Sequence, residues 1–514
     1  MKKLLSLMLA LVMLMSACAA LADVTLPITE EPVTFRVCVQ ADSYNLRPWS
    51  EKEIYKQFAE ETNVYFDWDE LNDWTTQTNL YIASGDTPDA FFRNISKSTL
   101  NENLDLFWEL TDMINEYSPT LVQLFKDEPG VMAGCKSADG GIYKLPCSFT
   151  FNLDDAVGTM YWINQNWLDA VGLENPTTIE ELEEVLIAFR DKDPNGNGIA
   201  DEIPMSMQET GWAGKFSDLF GIFGVLYCTD RYVDCDDEGK VYFEADKPEF
   251  YDALVWLNHL AQENLLDAES FSQNGDQFTT KISQNVLGIC AKFNPQNFLP
   301  GQLTTLHIIK NGDVRTMIEG NQDSSVPASV TMPKTNEHPD VLVKFYEYVN
   351  CDHRRKMTLR YGEEGVYWQY TGNGIEYTLT DYDSAPPEGY EFWDQYIYTV
   401  GTPGGHGPYF MSKAELGSNV SPLTTRDTGI VEYLPYFPTV EYHAADLEAD
   451  LATEKSMLYT EIDAYVQTFV SGAIMGEINE AIWAEHLETL KKLNVDRYVE
   501  LCQLAYDTYL DLLK

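Results

Sequence analysis

Positive charge is scarce in this chain. Only 34 lysines and arginines stand against 82 aspartates and glutamates, a formal net charge of −48 at pH 7. A field of that sign repels nucleic acid and anionic lipid, which excludes both as partners. Most of the acidity reads as a solvated surface, and carboxylates so abundant fall next to one another by chance, so no pair of them reads as catalytic. The nine cysteines are scattered between Cys18 and Cys502, never in C-x-x-C spacing, and indicate neither a disulfide framework nor a zinc site. The seven histidines form no H-E-x-x-H. There is no G-x-x-x-x-G-K-[ST] phosphate loop: the glycines of "GTPGGHGPYF" (401–410) lack the lysine and a following helical pattern, and read as a mobile loop. No low-complexity linker or internal repeat divides the chain, as expected of lobes joined by several crossovers and not by one tether.

What is present is enough apolar material for two cores: 514 residues, 44 % hydrophobic. The chain opens with Lys2 and Lys3, an apolar run from Leu4 to Met15 and then small residues, the layout of a secretory leader too short to span a bilayer. Two cleavage readings compete. Met15-Ser16-Ala17-Cys18 resembles a lipobox, with lipidation at Cys18, whereas Ala20-Leu21-Ala22 fits a plain cleavage site that makes residues 1–22 the signal peptide. Both predict an exported protein, extracellular or held at the cell surface. Beyond the leader, "VTFRVCV", "VYFDW" and "DAFF" have strand patterns, separated by amphipathic segments, the second preceded by Asp73 as an N-cap. The order β-α-β-α-β implies a parallel sheet wrapped by helices. Thr178 and Glu181 have capping-box spacing, Pro248 and Pro339 suit first helical turns, Asn264 suits a helix end, and the residues from about Glu441 onward are helical by pattern.

Two stretches carry candidate chemistry. An open parallel sheet binds ligands beyond the carboxyl ends of its strands, here "QADSYNLRPW" (40–49), 69–74, and Arg93 with Asn94. Aromatic faces beside amides, carboxylates and a guanidinium suit the two sides of a sugar ring, and Asp42, Tyr44, Asn45 and Arg93 are the candidates. Second, "DKDPNGNGIADEIP" (191–204) sets oxygen donors at alternate positions, as a calcium loop requires. Asp193, Asn195 and Asn197 take the first, third and fifth places, Gly198 the sixth and the Ile199 carbonyl the seventh. Pro204 occupies the twelfth place, so Asp201 and Glu202 must complete the shell. The alternative is a plain Asn-Gly turn.

The segment "YWINQNWLDAVGLENPTTIEELEEVLIAFRDKDPNGNGIADEIPM" resembles the same region of family 1 extracellular solute-binding proteins of bacterial ABC importers, in the oligosaccharide-binding branch with the alginate-binding proteins and many Gram-positive lipoproteins. "ASGDTPDAFF", "DGGIYKLP", "RYGEEGVYW" and "FVSGAIMGEINEAIWAEHLETLKKLNVDRYVELCQLAYDTY" extend the likeness in order from about residue 33 to 510. It implies an α/β, two-lobe periplasmic-binding-protein-like fold with an interlobe cleft and hinge and a helical C-terminal extension. The implied division is 23–147 plus 283–335 for the N-lobe and 148–282 plus 336–514 for the C-lobe. It further implies a structural calcium held by Asp193, Asn195, Asn197, Ile199, Asp201 and Glu202, and ligand contacts from Trp212, Glu364, Tyr367 and Trp368 across the cleft. The implied function is capture without chemistry, by a monomer that delivers an oligosaccharide to ABC permease subunits. A secreted glycoside hydrolase and a surface carbohydrate sensor stay open as alternatives. One departure is Asn164, where the family often has arginine.

Overall fold

A computed structural model describes residues 24–149, 156–211, 213–320, 328–380 and 384–513. Cys18 lies outside them. Alternation decides the first sheet. In β1 (Val33–Gln40), Phe35, Val37 and Val39 enter one core and Cys38 another, so both faces are covered. The chain continues through α1 (Glu53–Thr62), β2 (Val64–Leu71), α2 (Trp74–Ser84) and β3 (Ala90–Phe91), as the pattern implies. β1 lies between β2 and β3 and is parallel to both. Asp73 does cap α2, accepting from Thr76 N at 3.1 Å. β4 (Leu145–Phe149) follows at the end of this first segment.

The second sheet is mixed. It forms within the run β5 (Met160–Asn164), α3 (Ile179–Asp191), β6 (Ile203–Ser206), the hairpin β7 (Val233–Cys235) and β8 (Val241–Phe243), α4 (Pro248–Gln262), α5 (Gly275–Ser283), β9 (Leu287–Lys292) and β10 (Leu303–Thr305). Its order is β10-β5-β9-β6, with β6 parallel to β9 and the other pairs antiparallel. Tyr161 and Ile163 of β5 face one core, Met160 and Trp162 the other. Gly288 lets α3 sit close on this sheet, because a Cβ there would meet the Phe189 ring at 2.3 Å. The expected capping box of α3 forms one residue off: Thr178 Oγ1 accepts from Glu181 N, but the Glu181 carboxylate accepts from Thr177 N.

The chain then returns. β11 (Ala328–Val330) pairs with β4, and α6 (Pro339–Asn350), β12 (Trp368–Tyr370), β13 (Tyr377–Leu379), α7 (Trp393–Val400) and β14 (Phe410–Met411) follow. Val330, Phe345, Trp393 and Phe410 share a core with Phe35 and Val37. Finally α8 (Ala449–Met475), α9 (Glu480–Lys492) and α10 (Val495–Leu512) pack on the second lobe, where Ile462, Val466 and Tyr498 share a core with Ile163 and Leu257. The fold is thus the expected two-lobed α/β architecture with C-terminal helices, but the division of the chain is corrected. Residues 283–320 belong with the second lobe, since β9 and β10 are strands of its sheet, and 330–411 belong with the first. Among the described residues Cys38, Cys135, Cys147, Cys228, Cys235, Cys290 and Cys502 form no disulfide. Among those residues no helix is long and apolar enough to cross a membrane.

The second lobe also buries carboxyl groups without full partners. The β7–β8 register puts Asp234 opposite Tyr242, and Glu244 N pairs with Tyr232 O, so Asp234 and Glu244 share one face of the hairpin. Each accepts one backbone N–H, from Cys235 at 2.8 Å and Cys228 at 2.9 Å, while Asp234 Oδ2 and Glu244 Oε1 have no partner. Burial pushes Glu244 up to about 8 and Asp234 up to about 6, although Arg231 opposes both shifts. Because these folded values exceed the unfolded ones, the pair's contribution is fully present below about pH 4 and is lost as pH rises through 8. We therefore expect Glu244→Gln to raise stability at pH 8 by about 1–3 kcal/mol and to leave it nearly unchanged at pH 4. Thermal unfolding of both proteins across that range checks this.

Candidate functional site

In the first lobe, β2 lies on one side of β1 and β3 on the other, so the successive connections diverge at the carboxyl end of β1. A crevice forms at such a point. Asp42 and Tyr44 follow β1, and Arg93 follows β3. Asp42 Oδ1 accepts from Tyr44 N at 2.8 Å, which fixes the turn, and Leu46 N donates to Thr399 Oγ1 at 3.0 Å, which ties the turn to α7. The Tyr44 ring meets Phe392 edge-on with centroids 5.0 Å apart, and Tyr398 at 5.8 Å.

Behind this turn stands a cation that sequence reading does not flag. Lys52 is 2 % exposed, and its ammonium donates to the carbonyls of Tyr398, Thr399 (3.2 Å) and Gly401 (2.8 Å), the last turn of α7. Burial pushes its pKa down to about 7, against the pull of Glu70 and Asp42. Arg93 is held similarly. Its Nη1 lies 3.1 Å from His406 Nε2, and His406 Nδ1 lies 3.1 Å from the Gly404 carbonyl. Nδ1 therefore carries the hydrogen and Nε2 accepts from Arg93. Burial first, then Arg93, pushes His406 down to about 3, so the ring is neutral. The 401–410 segment is thus a packed element and not the mobile loop its glycines suggest. His406 is 3 % exposed, Gly407 N donates to Phe92 O at 2.9 Å, and Gly407 sits at φ +81° with Tyr55 and Thr402 too close for a side chain.

The second lobe presents the carboxyl ends of β6 and β9 and the first turn of α5. Lys292, ending β9, lies over the rings of Phe278 and Phe298 at 5.7 and 5.4 Å. Contacts then cross the seam: Asn297 Nδ2 donates to Asp394 Oδ2 at 3.2 Å, and the Phe298 and Phe392 centroids are 6.2 Å apart. Burial raises the Tyr44 phenol, and so does the negative charge of Asp394 and Asp42 in its own lobe and of Asp276 in the other. The seam therefore gathers Asp42, Tyr44 and Arg93 with six groups the sequence did not single out: Asp276, Lys292, Asn297, Phe298, Phe392 and Asp394.

Of the other sequence candidates, only Asn45 adjoins the seam. Asn45 is beside Tyr44, with a shielded Oδ1 that has no partner. Glu364 pairs with Arg354 and accepts from Tyr370 N at 3.3 Å. Tyr367 and Trp368 are 2 % and 1 % exposed in the first lobe's core. Tyr367 packs on Trp393 of α7, and Trp368 donates to Gly362 O at 2.8 Å. All three belong to the lobe that holds Asp42, not to the wall opposite it, a correction that follows from the revised division of the chain. Trp212 lies outside the described residues. Asn164, the departure from the family pattern, is fully buried and caps the helix at Gln165–Val171 through Trp167 N at 3.2 Å.

The 191–204 loop folds as successive Asx turns. Asp193, at φ +46°, accepts from Gly198 N at 3.1 Å, Asn195 Oδ1 from Asn197 N at 2.9 Å, and Asn197 Oδ1 from Ile199 N at 2.6 Å. Asn195 and Asn197 both donate to the Asp201 carboxylate at 3.1 Å. Glu202 Oε1 is shielded without a partner, and burial together with repulsion from Asp193 and Asp201 raises its pKa.

No family model matches the chain. The fructooligosaccharide ABC transporter substrate-binding protein FusA of Streptococcus pneumoniae is 31 % identical over 287 residues, 54 % of this chain and 53 % of that protein. In sequence, the chain thus spans about half the length of that relative. The structure of FusA in complex with kestose matches with a TM-score of 0.82 at 23 % identity, over 93 % of this chain and 100 % of that one. An EF-hand mutant of FusA in complex with fructo-nystose matches equally well, at 21 % identity. The alginate-binding protein AlgQ2, solved without calcium ion, gives 0.74 at 19 % identity over 93 % and 99 % of the two chains. The chain thus has the fold of these substrate-binding proteins. Within that class the likeness read from the sequence runs to the branch that holds FusA and AlgQ2.

Lys52 gives the site a direct test. Lys52→Met leaves the α7 carbonyls without their donor, and we expect a loss of about 1–3 kcal/mol in stability, measured by denaturant unfolding, with Tyr398 and Phe392 displaced at the seam.

Proposed function

We propose that the chain is the substrate-binding component of an ABC importer, which captures an oligosaccharide between its lobes and passes it unaltered to membrane permease subunits. One observation carries this reading. The loops at the carboxyl ends of a parallel sheet in one lobe meet the corresponding loops of the other, and the seam so formed joins aromatic faces to carboxylate, amide and guanidinium groups. Stacking on Tyr44, Phe298 and Phe392 suits the C–H face of a sugar, and Asp42, Arg93, Asn297 and Asp394 suit its hydroxyls. A ligand touching both walls stabilises the closed arrangement by its differential contacts, and that shape is what a permease reads. FusA, named for fructooligosaccharide, supports the choice of ligand class. The leader pattern, and a relative named lipoprotein LipO in Bacillus subtilis, support export with lipidation at Cys18. Calorimetric titration with a panel of oligosaccharides that includes kestose should show saturable binding, with the sugar recovered intact by chromatography. Cleavage of the sugar would overturn this reading in favour of a hydrolase.

We further propose that Asp193, Asn195, Asn197, Asp201, Glu202 and the Ile199 carbonyl hold a structural calcium. The donors are hard oxygens from one short segment, and the unpartnered Glu202 oxygen beside two like charges is the arrangement a divalent cation relieves. An EF-hand mutant of FusA and an AlgQ2 structure without calcium ion support this reading. When bound, the ion neutralises the carboxylates and braces the end of α3 against β6. A chelator should lower the unfolding midpoint, and added calcium should restore it in proportion to its concentration. A midpoint that ignores both would leave the loop a bare turn.

A further inference from the structure

Resting on that reading, we propose that Lys292 is the second lobe's fixed hydrogen-bond donor to the bound oligosaccharide, a contact residue held in place by the ring faces of Phe278 and Phe298. Its position follows from the strand. Residues 290 and 292 of β9 share a face, and Cys290 lies in the core that also holds Phe278 and Phe298, so the Lys292 side chain leaves that core at the strand's carboxyl end. The backbone there is fixed twice: Lys292 is paired with Met160 of β5, and its carbonyl accepts from Trp162 Nε1 at 3.1 Å. Phe278 is fully buried in α5, and the Phe298 ring meets Phe392 of the first lobe with centroids 6.2 Å apart. The ammonium is thus one ring away from the opposite wall of the seam.

The kind of partner it has sets Lys292 apart. Where this protein buries a lysine for structure, oxygen atoms surround the nitrogen. Lys281 donates to Asp267 and Glu269 at 2.7 Å and to Gln273 at 2.9 Å, Lys52 donates to the carbonyls at the end of α7, and Lys356 pairs with Glu415. Lys292 is half-buried with its ammonium 5.7 and 5.4 Å from the Phe278 and Phe298 centroids, and among the described residues it has neither a hydrogen-bond acceptor nor a carboxylate partner. Burial lowers its pKa, and the opposing pull is that of the Cys290 thiol, which burial drives up to about 12 and so leaves neutral. The charged groups around the seam look elsewhere. Arg426 donates to the Phe293 carbonyl at 2.9 Å, Asp394 accepts from Asn297 at 3.2 Å, Asp42 accepts from Tyr44 N at 2.8 Å, and Arg93 donates to His406. Asp276 and Arg47 are exposed. Ring faces attract the charge of an ammonium but leave its three N–H donors without acceptors. The hydroxyl and ring oxygens of a sugar stacked on Phe298 supply those acceptors, and because the side chain is already ordered, little of its freedom is lost on binding.

The test uses the full chain, in calorimetric titrations with kestose, maltotriose, xylotriose and mannotriose and in thermal unfolding without sugar. Lys292→Met keeps an unbranched stem over both rings and removes the donors, whereas Lys292→Arg keeps donors and charge. For the sugars that bind the unaltered protein, we expect Lys292→Met to weaken affinity by about thirtyfold and Lys292→Arg to stay within about fivefold. The unfolding midpoint of Lys292→Met should equal or exceed that of the unaltered protein, since a dehydrated charge has gone. A lysine that served only the fold would give the reverse, a lower midpoint. Lys292→Met affinities within about twofold of the unaltered protein, or a loss that comes with a lowered midpoint, overturn the assignment and leave oligosaccharide capture standing. Binding of none of the four sugars by the unaltered protein overturns both.

Discussion

A buried ammonium on the end of a helix organises the first lobe of this molecule. Lys52 stands at the first position before α1, where a side chain that accepts from the helix N–H groups is the usual choice and a positive charge is unfavourable. It makes no cap there. Its side chain instead crosses to the carboxyl end of α7, where the exposed carbonyls and the helix dipole favour a cation. That contact joins two stretches almost 350 residues apart in sequence. Everything at the seam on this side follows from it: the 41–49 turn is fastened to Thr399, α7 presents Phe392 and Asp394, and the following loop brings His406 to Arg93. Stability and site geometry therefore depend on the same desolvated charge.

The two lobes meet the requirements of their seam differently. The first uses neutral and basic groups locked by carbonyls and by an imidazole that burial keeps uncharged. The second uses a helix start, with Asp276 exposed, and a strand end, with Lys292 half-buried over the rings of Phe278 and Phe298. Away from the seam the lobes are also tied, through Lys97 and Lys144 of the first lobe to Asp446 at 3.6 and 3.5 Å. The Lys144 and Asp446 side chains are nearly inaccessible, so this ion pair acts with little screening by salt. It lies on the segment leading into α8.

Much of the fold was legible locally. Period-two alternation in "VTFRVCV" gave β1, Asp73 gave the start of α2, and Pro248 and Pro339 gave the first turns of α4 and α6, each decided by neighbours within a few residues. Membership of a lobe is a different kind of fact. β9, "LGICAK", is an apolar run that fits either sheet, and only its pairing with β5 and β6 assigns it. The same limit explains the site. The place of Asp42, Tyr44 and Arg93 at the seam was reachable because strand ends of a parallel sheet are known positions. Tyr367 and Trp368 were not, because an aromatic side chain looks the same in sequence whether it faces a ligand or a core. His406 was hidden by composition: glycine and proline around it suggest freedom, but here those residues permit close packing. The one available signal for Lys52 was its misfit, a lysine where a helix start prefers an acceptor.

The order in which these cores draw on the chain bears on how the protein folds as its chain emerges. Each lobe starts from an early stretch and is completed by a late one. The first waits for residues 330–411, and the second for Ile462, Val466, Tyr498 and their neighbours. A polypeptide threaded outward from its N-terminus would expose an unfinished parallel sheet until most of its length had emerged, and a second unfinished sheet until nearly all of it had. Such deferred closure favours slow, all-at-once consolidation over stepwise folding, and leaves the nascent chain reliant on its dense negative charge to stay apart from its neighbours.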